Sequence, residues 1–484
     1  MVTLIVICIY FAVLMTFSRL TTKSADNSSF FSAGRRSPWY MVAFGMVGAS
    51  ISGVTFISVP GMVLYSDMTY LQMCLGFIVG YFLVAFVLLP VYYRLNLITI
   101  YSYLRERLGV RSYKTGAWFF LLSKMVGAAV RFYIVCWLIS RVIGDEWWVL
   151  TVCVMVLLIW LYTRRGGIKT LVWTDSFQTL CMLAALVLII YNVVEELGMT
   201  PSEAVGAIWN DSHSKVFEMS DWMSSHNFWK QFLSGVFVVV VMTGLDQDMM
   251  QKNLTCKTLR DAQKDMCTYG LAFVPVNLLF LSLGVLLVML CQQQGIVPPT
   301  KGDELLPMFV DNDSLHSPLI PELRSPTRSL SSLLSPLFAL GIIAASFSSA
   351  DSALTALTTT YCVDIRECTD DERLRRRVHI VMSIIFALII IAVGVVGSSS
   401  VIDTIYVLCG YTYGPLLGLF AFGLFTKYSV RDKYVPFVAI ASPVVCFLID
   451  RIITSATGYH FGYELLMLNG VLTFLGLLGL SRRT

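Results

Sequence analysis

Along this chain, apolar stretches of about twenty residues alternate with short segments that hold most of the charge. Each stretch is long enough for a helix to cross a bilayer, which takes roughly 20 mainly apolar residues. Thirteen such runs are predicted, starting near Val2, Trp39, Met68, Thr115, Glu146, Ile168, Phe228, Asp265, Ser332, Val378, Ser400, Val435 and Tyr463. The first, Val2 to Phe17, has no basic residue before it, while Arg19, Lys23, Arg35 and Arg36 follow. That charge order is the reverse of a cleaved secretory signal, so the pattern predicts an anchor with its N-terminus outside. Alternating sides from there places 26 of the 35 Lys and Arg in inner segments and seven in outer ones, leaving Lys124 and Arg131 within a span. Basic residues collect on the inner side of a membrane, so the count predicts an odd number of spans with the C-terminus inside. The two longest loops, Glu195 to Asn227 and Gln292 to Ser331, fall outside and are rich in Pro, Ser, Asp and Glu. Neither is long or apolar enough to form a separate domain.

Composition supports this picture. Of 484 residues, 56% are apolar and 14% charged, with a mean hydropathy of +0.73. Soluble domains run nearer 45–50% apolar and about 25% charged, so an ordinary soluble enzyme is excluded. The net charge of +4 indicates no nucleic-acid partner. The 12 cysteines lie singly, mostly in apolar runs such as those of Cys74, Cys136, Cys153 and Cys181, without metal-ligand or disulfide spacing. Arg164-Arg-Gly-Gly167 is not a phosphate loop, and His213, His226, His316, His379 and His460 fall in loops or near span ends. Neither ATP-driven transport nor an intramembrane enzyme is suggested, and no cofactor is implied.

Polar groups that are expensive in hydrocarbon point to function. The second run carries Ser50, Ser52, Thr55 and Ser58 among Gly48, Gly53 and Gly61. Such a helix unwinds easily and exposes carbonyls able to hold a cation, or its small residues let neighbouring helices approach closely. In the ninth run Ser348, Ser349, Asp351 and Ser352 fall within about one turn, a set of oxygens suited to hard cations. Asp175 lies near the inner start of the sixth run, either as a capping or interfacial aspartate or as a functional carboxylate. Gly244-Leu-Asp-Gln-Asp-Met-Met-Gln-Lys252 ends the seventh run, either closing a permeation path or marking the membrane exit. Lys124 and Arg131 lie seven residues apart and so share nearly one helix face. Arg131 is far from both span ends, so it should face an aspartate, a water-filled cavity or an anionic ligand.

These segments together resemble the sodium:solute symporter family, which includes sodium/glucose, proline, pantothenate and sialic acid carriers. The resemblance runs from about Ser32 to Asp432 and rests on Gly244 to Lys252 with the basic segment to Lys264, Tyr162 to Gln178, the Ser348-Ser-Ala-Asp-Ser352 run and Val363-Asp-Ile365. It implies an all-α fold of about 13 transmembrane helices with an inverted 5+5 repeat like that of the leucine transporter. The repeats would span 37–197 and 228–427, with an extra helix at 1–22 and two more at 433–484. A sodium ion would be held by the carbonyls of Gly48, Ile51 and Ala345 and the hydroxyls of Ser348 and Ser349. A second cation site would involve Asp175, Ser348, Asp351 and Ser352, taking sodium or a proton unless an aspartate turns to another partner. Substrate contacts would come from Ser50, Ser52, Thr55, Gln72 and Arg131.

The sugar carriers have a glutamine where Thr55 aligns, which weighs against glucose or galactose, and Arg131 occupies roughly the place of a carboxylate-binding arginine in the sialic acid carrier. The resemblance implies sodium-coupled import of a small solute, with a sialic acid as the leading candidate. Amino acids, other organic acids, neutral sugars and proton coupling remain alternatives, as does a membrane sensor, although no signalling extension follows Arg483. Partners are then the solute, sodium ions and the lipid bilayer, in a plasma (bacterial inner) membrane, with no obligate protein partner inferred.

Overall fold

The computed structural model describes residues 2–21, 27–164, 166–222, 224–310, 334–396, 401–459 and 461–482. Much of the outer segment expected at Gln292 to Ser331, together with Lys23, Arg165, His316, Arg324, Arg328, His460 and Arg483, lies outside the described residues. Each of the thirteen predicted runs coincides with a helical element. They are α1 (Val2–Thr21), the pair α2 (Trp39–Ser50) and α3 (Gly53–Ser66), α4 (Tyr70–Arg94), α5 (Val110–Ile143), α6 (Trp148–Thr163) and α7 (Ile168–Glu196). There follow the pair α8 (Phe228–Gly244) and α9 (Gln247–Asn253), then α10 (Leu259–Gln294), α11 (Leu334–Thr360), α12 (Glu372–Val396), α13 (Val401–Phe425), α14 (Val435–Thr457) and α15 (Leu465–Gly479). Among the described residues seven helices are long and apolar enough to cross a membrane, or nine if each bent pair is one span.

Burial orders these helices from centre to rim. The span Pro336–Ile365, which holds most of α11, buries 83% of its apolar window, whereas Asp432–Thr457, which contains α14, buries 17%. An apolar helix left that bare has a lipid-facing surface, and the hydroxyl- and carboxylate-bearing helix stands in the middle. Close packing around the centre uses small residues, as expected where lipid offers no hydrophobic drive between helices. At Gly76 on α4 an added Cβ would lie 2.1 Å from the Phe232 carbonyl oxygen, and at Gly235 on α8 it would lie 2.3 Å from that of Met73.

The loops assigned inside by charge meet one another at one end of the bundle. Arg35 binds Asn96 and the Leu97 carbonyl, and the Ser37 amide donates to Thr255. Lys114 and Arg105 pair with Glu367 at 2.6 and 3.3 Å. Asp432 accepts from the amides of Arg111 and Ser112, and β1 (Ser429–Val430) pairs antiparallel with β2 (Ser481–Arg482). Outer segments gather likewise, with the Met68 amide donating to the Lys215 carbonyl and His213 against Asp67 at 3.1 Å. Two basic residues counted with the inner loops are buried instead: Lys252 in α9, and Arg375, whose guanidinium lies 4.4 Å from the Phe30 ring centre.

Candidate functional site

Two spans are broken where the sequence places glycine and polar groups. Between α2 and α3 the chain bends by 63°, with Ile51 and Ser52 extended. In an unbroken helix the amides of Ser52 and Gly53 would bond the carbonyls of Gly48 and Ala49. Here the Ser52 amide donates to Thr55 Oγ1 at 3.3 Å and the Gly53 amide to Ser346 Oγ at 3.1 Å. The Gly48 and Ala49 carbonyls are thereby released from the helix ladder. Ser349 on α11 donates to the Ala49 carbonyl at 3.0 Å, its proton shared with the Ala345 carbonyl at 3.2 Å. The close approach requires glycine, since a Cβ on Gly48 would lie 2.0 Å from Thr179 Oγ1 on α7 and one on Gly53 would lie 2.3 Å from Ser346 Oγ. Broken-helix oxygens and the α11 hydroxyls thus face each other, with Ser349 and Ala345 at the junction. Ser348, one residue away, turns to α7 and donates to Asp175 Oδ1 at 2.9 Å.

Between α8 and α9 the bend is 69°, following a wide turn at Val240–Gly244. Asp246 caps α9 by accepting from the amides of Asp248 and Met249 at 2.8 and 3.4 Å. Lys124 on α5 lies 3.1 Å from Asp246 Oδ2 and 2.7 Å from Asp248 Oδ2, and Tyr413 on α13 donates to Asp246 Oδ2 at 2.7 Å. The second break therefore carries its own counterion. The acidic segment marks neither a solvated exit nor a helix end at the surface, because Asp246, Gln247, Asp248, Gln251 and Lys252 are all buried.

A cavity of about 120 Å³ lies between the two breaks, and Ser50, Ser52, Thr55, Lys124, Arg131 and Asp246 line it. Ser50 is also hydrogen-bonded to Tyr269, which accepts from Tyr81 at 2.7 Å. Arg131 has no carboxylate within ion-pairing distance among the described residues, whereas its helix neighbour Lys124 has two. Gln72 does not line this cavity. Its amide donates to the His226 carbonyl at 2.9 Å and accepts from the Glu218 amide at 3.1 Å, tying down an outer loop. The structure thus sets Gln72 apart from the other candidate substrate contacts, its buried side chain turned to that loop instead of the cavity.

Asp175, Ser348, Asp351 and Ser352 do meet in the core, all essentially inaccessible to solvent. Ser352 donates to Asp351 Oδ1 at 3.3 Å and Tyr162 to Asp351 Oδ2 at 2.6 Å. Lys252 from α9 reaches Asp175 Oδ2 at 2.7 Å. Lys252, Tyr162, Ser346 and Tyr413 were not expected in these roles. Lys252 ends the polar segment that follows the seventh run, and Tyr162 opens the motif containing Asp175, so both signals were present but unassigned to a site.

The chain is similar to several known transporters. The chain is 27% identical to the sodium/iodide cotransporter of Homo sapiens over 242 residues, covering 50% of this chain and 37% of that protein. It is 26% identical to the sodium-dependent multivitamin transporter of Oryctolagus cuniculus over 414 residues, 81% of this chain and 61% of that one. It is also 26% identical to the sodium/sialic acid symporter NanT of Aliivibrio fischeri over 430 residues, 84% and 78% of the two chains. The chain thus spans only 37% and 61% of the first two relatives' lengths. Among solved structures, the substrate-bound, outward-open form of a sodium-coupled sialic acid symporter matches with a TM-score of 0.82 at 20% identity, covering 100% of this chain and 99% of that one. Its fold, and that of the more distant Mhp1 at a TM-score of 0.55 and 16% identity over 94% of this chain and 93% of that one, is shared by this protein. The model of the sodium:solute symporter family matches residues 30–431, and the chain belongs to that family.

Proposed function

We propose that this protein is a sodium-coupled secondary active symporter that imports a small carboxylated solute, an acidic sugar such as a sialic acid, by alternating access. The observation that carries the substrate class is Arg131, a guanidinium on the wall of the central cavity with no carboxylate of the chain to pair with among the described residues. A charge kept that deep without an internal counterion is suited to an anionic ligand. Sodium would bind at the first break through the carbonyls of Gly48, Ile51 and Ala345 and the hydroxyls of Ser348 and Ser349. The released Gly48 and Ala49 carbonyls and the Ser349 contact support that placement. Sodium there would link α2 to α11 and favour the state that accepts solute. Each sodium ion moved inward gains about 2.3 kcal/mol per 100 mV from the membrane potential.

The two breaks begin the proposed five-helix repeats at 37–197 and 228–427, with the extra helix at 1–22 and the pair at 433–484 outside them. The N-terminus would lie outside and the C-terminus inside a plasma membrane, an orientation supported by the gathering of basic loops at one end. Solute, sodium ions and lipid are its proposed partners, and no covalent chemistry is assigned to it.

The test is uptake of radiolabelled N-acetylneuraminic acid into proteoliposomes. An inward sodium gradient is expected to drive accumulation and potassium to drive none, and Arg131→Met is expected to raise the solute concentration needed for uptake by about 10–100-fold. Accumulation driven by a proton gradient without sodium would overturn the coupling ion. Sodium-driven uptake of neutral sugars that persists in Arg131→Met would overturn the substrate class.

A further inference from the structure

Asp175 and Asp351, with the hydroxyls of Ser348, Ser352 and Tyr162, make an oxygen-rich cluster in the protein interior. Such a donor set suits a hard cation. The structure puts a cation there from the chain itself. Lys252, 2% exposed, brings its ammonium 2.7 Å from Asp175 Oδ2. It makes no well-directed hydrogen bond among the described residues, so the contact is an ion pair and the ammonium acts as a point charge.

We propose that Lys252 is a built-in cation standing where a second metal ion would otherwise bind, and that the protein therefore binds one sodium ion. This deepens the symporter reading and rests on sodium binding at the first break. Charge balance sets the number. Two carboxylates and one ammonium leave a single negative charge, and an uncompensated buried charge is costly. Ser348 joins the cluster to the first break, because its hydroxyl donates to Asp175 Oδ1 while the neighbouring Ser349 contacts the Ala49 carbonyl. One sodium ion at the break brings the combined charge to zero, and a second would make it positive. The remaining nearby carboxylate, Asp248, lies 2.7 Å from Lys124, which it shares with Asp246, and belongs to the second break.

Equilibrium binding of radioactive sodium to the purified full-length protein tests this. The wild type is expected to bind one ion per chain with a Hill coefficient near one. Lys252→Arg is expected to keep that value. Lys252→Met, which leaves Asp175 without its ion-pair partner and the cluster without its ammonium, is expected to bind two ions with a steeper curve, and to melt at a more sodium-dependent temperature than the wild type. Two ions on the wild type, or one on a folded Lys252→Met, would overturn the inference while leaving the symporter reading intact. Wild-type binding that Ser349→Ala leaves unchanged would overturn the sodium assignment beneath it. Should Lys252→Met not fold, the wild-type stoichiometry decides alone.

Discussion

The two helix breaks solve the same geometric problem with opposite chemistry. Each bends a span by 60–70°, at 63° and 69°, and each strands backbone groups that a continuous helix would pair. At the first break the groups brought together are neutral: hydroxyls of Thr55, Ser346 and Ser349 meeting amides and carbonyls of residues 49–53. At the second they are ions, Lys124 set between Asp246 and Asp248, with Tyr413 completing the cluster. A neutral ring of oxygens has a place for a cation from solution. A break whose carboxylates already hold an ammonium between them has that place filled. The difference supports the proposed placing of sodium at the first break, while the second is held by its own ion pairs.

Variants that act on one break and not the other test that division. The largest effect is expected from Lys124→Ala, which leaves two buried carboxylates without an ammonium. Breaking a buried ion pair typically costs about 3–5 kcal/mol. The melting temperature should fall by nearly the same amount in sodium and in potassium, and a fall confined to sodium would place the ion at the second break instead. Arg131→Met comes next. Losing a charge-assisted contact worth about 1.5–3 kcal/mol should raise the concentration of N-acetylneuraminic acid needed for thermal stabilisation by about 10–100-fold, with stabilisation by sodium alone retained. Ser349→Ala should raise the sodium concentration for half-maximal stabilisation by about tenfold, equivalent to about 1.4 kcal/mol. Its melting temperature in potassium should change little.

The smallest effect belongs to the outer loop that Gln72 anchors. Lys215 and Ser220 hold the Glu218 carboxyl down to about 2, so its contacts are fully present above the ordinary carboxylate range and fade only as pH falls through about 2. Proteolysis of the loop should therefore be the same at pH 7 and pH 4. Lys215→Ala should let the carboxyl titrate closer to its ordinary range and make cleavage at pH 4 modestly faster.

Much of this organisation is legible in the sequence because it depends on local composition. Apolar runs mark the helices, glycine beside hydroxyls marks the first break, and the basic loops mark one end of the bundle. The pairings are less legible because they join residues far apart in the chain. Lys124 meets a carboxylate 122 positions away, and Tyr162 meets Asp351 across 189. Lys252 reads as one more basic residue at a membrane exit until the bend after Gly244 turns α9 into the core. Gln72 reads as a polar group available to a solute, and only the returning outer loop shows that its side chain is turned to that loop.

The most direct test of the central claim is the melting temperature of the purified protein with N-acetylneuraminic acid, measured in sodium and in potassium. A ligand that binds the folded state raises its apparent stability in proportion to occupancy. The ion at the first break and the solute beside Arg131 are expected to stabilise together, so the ligand should raise the melting temperature in sodium and leave it unchanged in potassium. Equal stabilisation in both salts would contradict the coupling of the two sites.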